Sequence, residues 1–183
     1  LGYVDGKIAL AFDSEDRRYT FTYTTLDSVD RLTEVEVDTK TGRHMGGQSS
    51  GCETIGRVEY SYYSTASYGD PGDLKTVKIT TRLNDDGNEL VREKFYQYWD
   101  GAFGGGNPGH AHSLRQVLDF EGVRQYDWAD TLFDGDHIGV APATLAPYAS
   151  AAFEYDSSKR CIELTSEGGC GGCGGGSAHG TVL

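Results

Sequence analysis

The chain has 183 residues, of which 37 % are hydrophobic, and a formal net charge of −12. That length allows one domain or a block of repeats with a core. The charge excludes nucleic acid as a partner, because phosphate binding needs clustered Lys and Arg and no such run exists. No apolar run approaches the roughly 18 residues that span a bilayer as a helix, so this segment is not expected to insert into a membrane.

Taken in chain order, the residues read mostly as strands. Gly6-Lys7-Ile8-Ala9-Leu10 is a basic-aliphatic strand, followed by a turn at Asp13-Ser14-Glu15-Asp16. Tyr19, Phe21 and Tyr23 then alternate with Thr20, Thr22 and Thr24, the period-2 pattern of a half-buried strand. A second basic-aliphatic strand, Arg31 to Val35, precedes a turn at Thr41-Gly42-Arg43. Tyr60-Ser61-Tyr62 leads through the turn Asp70-Pro71-Gly72-Asp73 to Leu74-Lys75-Thr76-Val77. The Asp86-Gly87 step predicts a tight hairpin between 77–83 and 90–98. After the glycine run 104–106, Leu114, Val117 and Leu118 recur at helical spacing, which predicts a helix over about 112–128 with Ser113 as its cap. Residues 143–148 predict a further helical turn, kept short by Pro147. Phe153-Glu154-Tyr155 and Arg160-Cys161-Ile162-Glu163-Leu164 restore the strand pattern, and 180–183 begin another strand.

One motif recurs: aromatic, any residue, Tyr. It occurs as Phe21/Tyr23, Tyr60/Tyr62, Tyr96/Tyr98 and Phe153/Tyr155. Each copy puts two rings on one sheet face, and a basic-aliphatic strand follows the first, second and fourth copies, so the unit is a hairpin. The expected fold is therefore mainly β: antiparallel hairpin repeats in one continuous, curved sheet, a shell or spiral segment, with a small α-helical insertion. The expected organisation is a hairpin block over 1–100, a partly helical insertion over 101–151, and a further repeat over 152–183 with a Gly/Cys-rich loop, truncated at its end. Both ends read as cuts through a longer polypeptide.

The step Tyr155-Asp156, with Arg160 and an aliphatic strand just beyond, resembles the signature of the RHS/YD-repeat family of large bacterial surface proteins. The stretch from Gly6-Lys7-Ile8 to Asp16-Arg17-Arg18-Tyr19-Thr20-Phe21-Thr22-Tyr23 resembles two successive units of it. The region around Leu114-Arg115-Gln116-Val117-Leu118 is similar to an insertion in one branch. The chain departs from the pattern where Asp30 and Lys159 replace the glycine expected before Arg31 and Arg160. The resemblance implies a sheet spiralling into a hollow shell, and a structural role in a secreted or cell-surface protein.

Candidate chemistry is sparse. Cys170 and Cys173 have the spacing of half a zinc site, with Cys52, Cys161 and His179 as further donors. A disulfide-stapled or plain Gly-rich turn explains the same residues. His110 and His112 could ligate a metal with Asp134, Asp136 or His137, and Asn84-Asp85-Asp86-Gly87-Asn88-Glu89 superficially resembles a calcium loop but lacks its spacing. No cofactor is expected beyond weak metal binding. Ser49-Ser50-Gly51 lacks a nucleophile elbow, and the 104–106 glycines lack the Lys-Ser/Thr of a phosphate loop. An enzyme is therefore not expected. The leading expectation is a structural repeat segment, outside the cell or on its surface, with neighbouring repeats of the same polypeptide as partners. Other copies of itself or surface glycans are further candidate partners. The alternatives are an adhesion or carbohydrate-binding module using the Tyr rings, Trp99 and Trp128, and a zinc-stabilised domain using the paired cysteines.

Overall fold

Tyr, Thr and Val dominate the alternating stretches, and these residues favour a pleated, half-buried surface. In a computed structural model of the chain, which describes residues 1–40, 52–65, 67–82, 88–129, 139–167 and 179–182, those stretches are strands. They are β1 (Gly2–Val4), β2 (Lys7–Phe12), β3 (Arg18–Leu26), β4 (Val29–Lys40), β5 (Cys52–Tyr62), β6 (Leu74–Arg82), β7 (Glu89–Tyr98), β8 (Leu114–Leu118), β9 (Ala151–Tyr155), β10 (Cys161–Glu167) and β11 (His179–Val182). Two helices, α1 (Phe120–Ala129) and α2 (Pro142–Leu145), and a 3₁₀ turn at Ala146–Tyr148 lie between β8 and β9. The strands pair in chain order, each with its predecessor and successor, through antiparallel ladders such as Phe21↔Val35 and Gln97↔Gln116. The fold is mainly β and antiparallel, as the sequence predicts.

The four aromatic pairs occupy alternate strands: Phe21 and Tyr23 in β3, Tyr60 and Tyr62 in β5, Tyr96 and Tyr98 in β7, Phe153 and Tyr155 in β9. All eight rings are half-buried. The core face of β7 carries Phe95 and Gln97 instead, so its tyrosines lie on the opposite face. The basic-aliphatic segments fall in β2, β4, β6 and β10.

One expectation needs correction. Leu114, Val117 and Leu118 belong to a strand, not a helix, and helix α1 starts only at Phe120. Leu114 and Leu118 fit either period over so short a window. The free edge of β7 decides it, because pairing Phe95 with Leu118 satisfies the backbone of both strands. Ser113 caps nothing; Asp119 does, its Oδ1 accepting from the backbone N–H of Glu121 at 3.1 Å and Gly122 at 3.0 Å. The segment 101–151 thus contains a strand of the sheet beside its two helices.

Two turns in distant parts of the chain have the same construction. Asp13 to Arg17 joins β2 to β3, and Asp156 to Arg160 joins β9 to β10. In the first, Asp13 Oδ1 accepts from the backbone N–H of Glu15 and Arg17, and its Oδ2 accepts from Arg17 Nε at 2.6 Å. In the second, Asp156 Oδ1 accepts from the N–H of Ser158 and Arg160, and its Oδ2 from Arg160 Nε at 2.7 Å. The residue before the Arg is left-handed in both, Asp16 at φ 60° and Lys159 at φ 63°. A glycine there would carry no Cβ penalty; of the two positions where the sequence pattern expects glycine, Lys159 is such a left-handed residue, whereas Asp30 lies in β4. Lys159→Gly is therefore expected to raise stability by up to about 1 kcal/mol, measured by urea unfolding; a loss would show that the Lys stem stabilises the turn.

Contacts divide the chain into two compact units, Leu1–Ser61 with Val77–Arg92, and Tyr62–Thr76 with Glu93–Leu183. Their interiors differ. The second holds a core of Phe95, Leu118, Val123, Tyr126, Leu145 and Ala149 under α1 and α2. In the first, no large apolar side chain is buried among the described residues, and Leu1, Tyr3, Val4, Phe12, Val29, Leu90 and Val91 are exposed. Its buried groups are polar: Asp38 accepts from Arg18 and from Thr54 Oγ1 at 2.9 Å, and Thr80 lies near Gly56.

Candidate functional site

Two places in the second unit gather chemistry-bearing side chains. The first is built on the strand β8 and its neighbours. Gln97 of β7 and Gln116 of β8 face each other across the ladder, 0 % and 3 % exposed. Gln116 Nε2 donates to Gln97 Oε1 at 2.7 Å and to the Pro142 carbonyl at 3.2 Å, while Gln97 Nε2 donates to the Val140 carbonyl at 2.9 Å. Buried amides are tolerated when bonded, and here they tie the entry of α2 to the sheet.

Beside Gln116 opens a cleft of about 200 Å³, lined by Trp99, Arg115, Gln116, Phe153, Glu154 and Glu163 among others. Trp99 Nε1 donates to the Phe153 carbonyl at 2.9 Å, and the Arg115 guanidinium stacks on the indole, 4.1 Å from the ring centre. Burial pulls the Arg115 pKa down. The backbone of Gly109 presses on the same indole, since a Cβ there would sit 1.9 Å from Cγ. Trp99 is thus a packed element of the wall rather than an open stacking platform.

The second place is the turn Asp70 to Asp73 and the facing loop. Tyr63 anchors it: its N–H donates to the Asp73 carbonyl, its carbonyl accepts from Gly72, and its hydroxyl donates to the Tyr96 carbonyl at 2.8 Å. Tyr98 meets Tyr63 edge-on, and burial pushes the Tyr63 hydroxyl up and Tyr98 to about 12. His112, at φ 65°, places Nδ1 2.9 Å from Asp73 Oδ1. Asp70, Asp73 and His112 offer ligand atoms all within 4.8 Å of one another, a mixed carboxylate-imidazole set of the kind that holds a divalent cation. Their own hydrogen bonds already satisfy part of that set.

The hydrogen bond to Asp73, reinforced by its charge, raises the His112 pKa above 6.5. A raised folded pKa means the contact contributes fully below pH 6.5 and is lost as pH rises through the folded value. NMR titration should therefore place His112 above 6.5, and Asp73→Asn should bring it back; the stability advantage over His112→Gln should shrink as pH rises above 6.5.

The structure separates the two histidines that the sequence puts side by side. His110 Nε2 bonds the Asp156 carbonyl at 2.8 Å and its ring stacks on Phe103, whereas His112 faces Asp73. Asp134, Asp136 and His137 lie outside the described residues, as do Cys170, Cys173 and the turn 84–87. Cys161 is exposed, with Sγ 3.4 Å from the Glu163 carbonyl. Cys52 and His179 lie in β5 and β11. Asp70, Asp73, Arg115 and the glutamine pair carried no signal of a site in the sequence, because each acquires its neighbours from a remote strand or loop. Comparison with protein-family models, with curated proteins and with solved structures finds no match.

Proposed function

We propose that the chain is a structural segment of a large secreted or cell-surface protein of RHS/YD type, contributing wall to a β-sheet shell rather than catalysing a reaction. The observation that carries this reading is the interior of the first unit. A sheet is stable when one of its faces is buried against another layer. Here seven large apolar side chains are exposed and none is buried among the described residues of that unit. Neighbouring repeats of the same polypeptide would supply the missing cover and extend the strand order beyond β1, whose edge carries exposed Tyr3 and Val4. The twin turns at Asp13 and Asp156 support a repeated hairpin unit.

Hydrogen exchange on the 183-residue chain tests the proposal. Amides of β1 to β4 should exchange far faster than those of β7 and β8, and addition of the flanking polypeptide should slow them. Equal protection of both units in a monomeric chain would count decisively against it.

A further inference from the structure

The cleft beside Trp99 gathers charged side chains of both signs. Arg115 is partly desolvated on the indole and feels the Asp100 charge at longer range, yet no ion pair or hydrogen bond engages its guanidinium among the described residues. Glu154 and Glu163 are directly opposed across β9 and β10, and neither forms an ion pair among the described residues. Like charges in that register repel. Arg115 lines the same cleft as Glu154 and Glu163 and forms no ion pair with either among the described residues. Gln116, nine-tenths buried, lines the cleft and spends its amide N–H groups on Gln97 and Pro142, and its Oε1 accepts no hydrogen bond among the described residues.

We propose that this cleft binds a small zwitterion of the α-amino-acid type, its carboxylate on Arg115 and its ammonium between Glu154 and Glu163. A ligand with both charges bridges the gap that the protein's own groups leave open. Arg115 presents a planar fork suited to a carboxylate, already oriented by Trp99. Glu154, Glu163 and Gln116 Oε1 accept from an ammonium, which has donors only. The volume of about 200 Å³ lies below the roughly 300 Å³ at which drug-sized pockets begin, so the ligand is small. Pro142, Ala143, Ala146 and Ala152 in the lining fit a short apolar side chain.

The test is a titration of the whole chain followed through the indole N–H signals in a ¹H–¹⁵N spectrum, with Trp128→Phe identifying that of Trp99. The probes are L-alanine, acetate and methylammonium. L-Alanine should shift the Trp99 signal saturably, and each half-ligand should bind at least about tenfold more weakly. Arg115→Gln and Glu163→Gln should each weaken alanine at least about tenfold with an unchanged near-UV spectrum. Because Arg115→Gln removes a packing contact and could unfold the wall, Glu163→Gln and the probe comparison on the unmodified protein decide in that case. No saturable shift with L-alanine, acetate binding as tightly as alanine, or unchanged affinity in Glu163→Gln would each overturn the proposal.

Discussion

Phe95→Ala is expected to destabilise the second unit by about 3–5 kcal/mol, the range for truncating a buried Phe. Phe95 is 1 % exposed and belongs to the cluster formed with Leu118, Val123, Tyr126, Leu145 and Ala149. Its removal opens a cavity under both helices, and the flanking ladder restrains the backbone from collapsing into it, because Phe95 pairs directly with Leu118. Urea unfolding monitored by tyrosine fluorescence measures the loss, and native-state hydrogen exchange locates it. Truncating Phe21 in β3 is the internal control. Its ring is only half-buried, and the first unit has no apolar core for it to leave, so its loss should be about 1 kcal/mol. Equal losses at the two positions would mean that the first unit is better packed than its side-chain burial indicates.

Gly122→Ala is expected to cost about 1–3 kcal/mol, against the intrinsic preference of a helix for alanine, which alone would stabilise by about 1 kcal/mol. A Cβ at Gly122 would lie 2.2 Å from the Tyr148 carbonyl oxygen. That atom is backbone, and Tyr148 is held in place by the edge-on contact of its ring with Tyr126, 5.4 Å between centres. Either α1 must lift from the 3₁₀ turn or the turn must shift, and each movement loosens the Val123 and Ala149 contacts of the core. The sign of the change, read from the unfolding midpoint, decides between helix propensity and close approach. A stabilised variant would show that the turn yields freely. Gly109→Ala acts by the same physics against Trp99 and should loosen the cleft wall along with it.

The turn carboxylates set the acid side of the stability profile. Desolvation pushes the Asp13 pKa up, but bonds from Arg17, Tyr19 and the backbone N–H groups of Glu15 and Arg17 outweigh it and hold it at about 2. Asp156 is likewise held below its ordinary value, first by the Arg160 backbone N–H and then by the Arg160 side chain. A lowered folded pKa gives stability that is complete above the ordinary carboxylate range and is lost as pH falls through the folded value. The Asp13 turn should therefore loosen only as pH falls toward about 2, and the Asp156 turn below the ordinary carboxylate range.

What the amino-acid sequence determined by itself is the local grammar. Alternating Tyr and Thr define β3, the aromatic pairs mark alternate strands, and the Asp13-Ser14-Glu15-Asp16 cluster marks a turn, because these patterns act through neighbours two to five residues apart. The similarity between the Asp13 and Asp156 turns was legible only in part, since Asp16 and Lys159 stand where glycine would have advertised the left-handed residue. The tertiary structure decided the rest. Leu114 to Leu118 became a strand because β7 offered an edge, a choice that five residues with two compatible periods cannot make alone. Gln97 and Gln116 became buried because α2 covers them from more than 20 residues away. The charged cleft follows from that cover, as does the contrast between a unit with a core and a unit without one. Burial depends on which faces meet, and the faces are set by strand order and by the helices laid over part of the sheet.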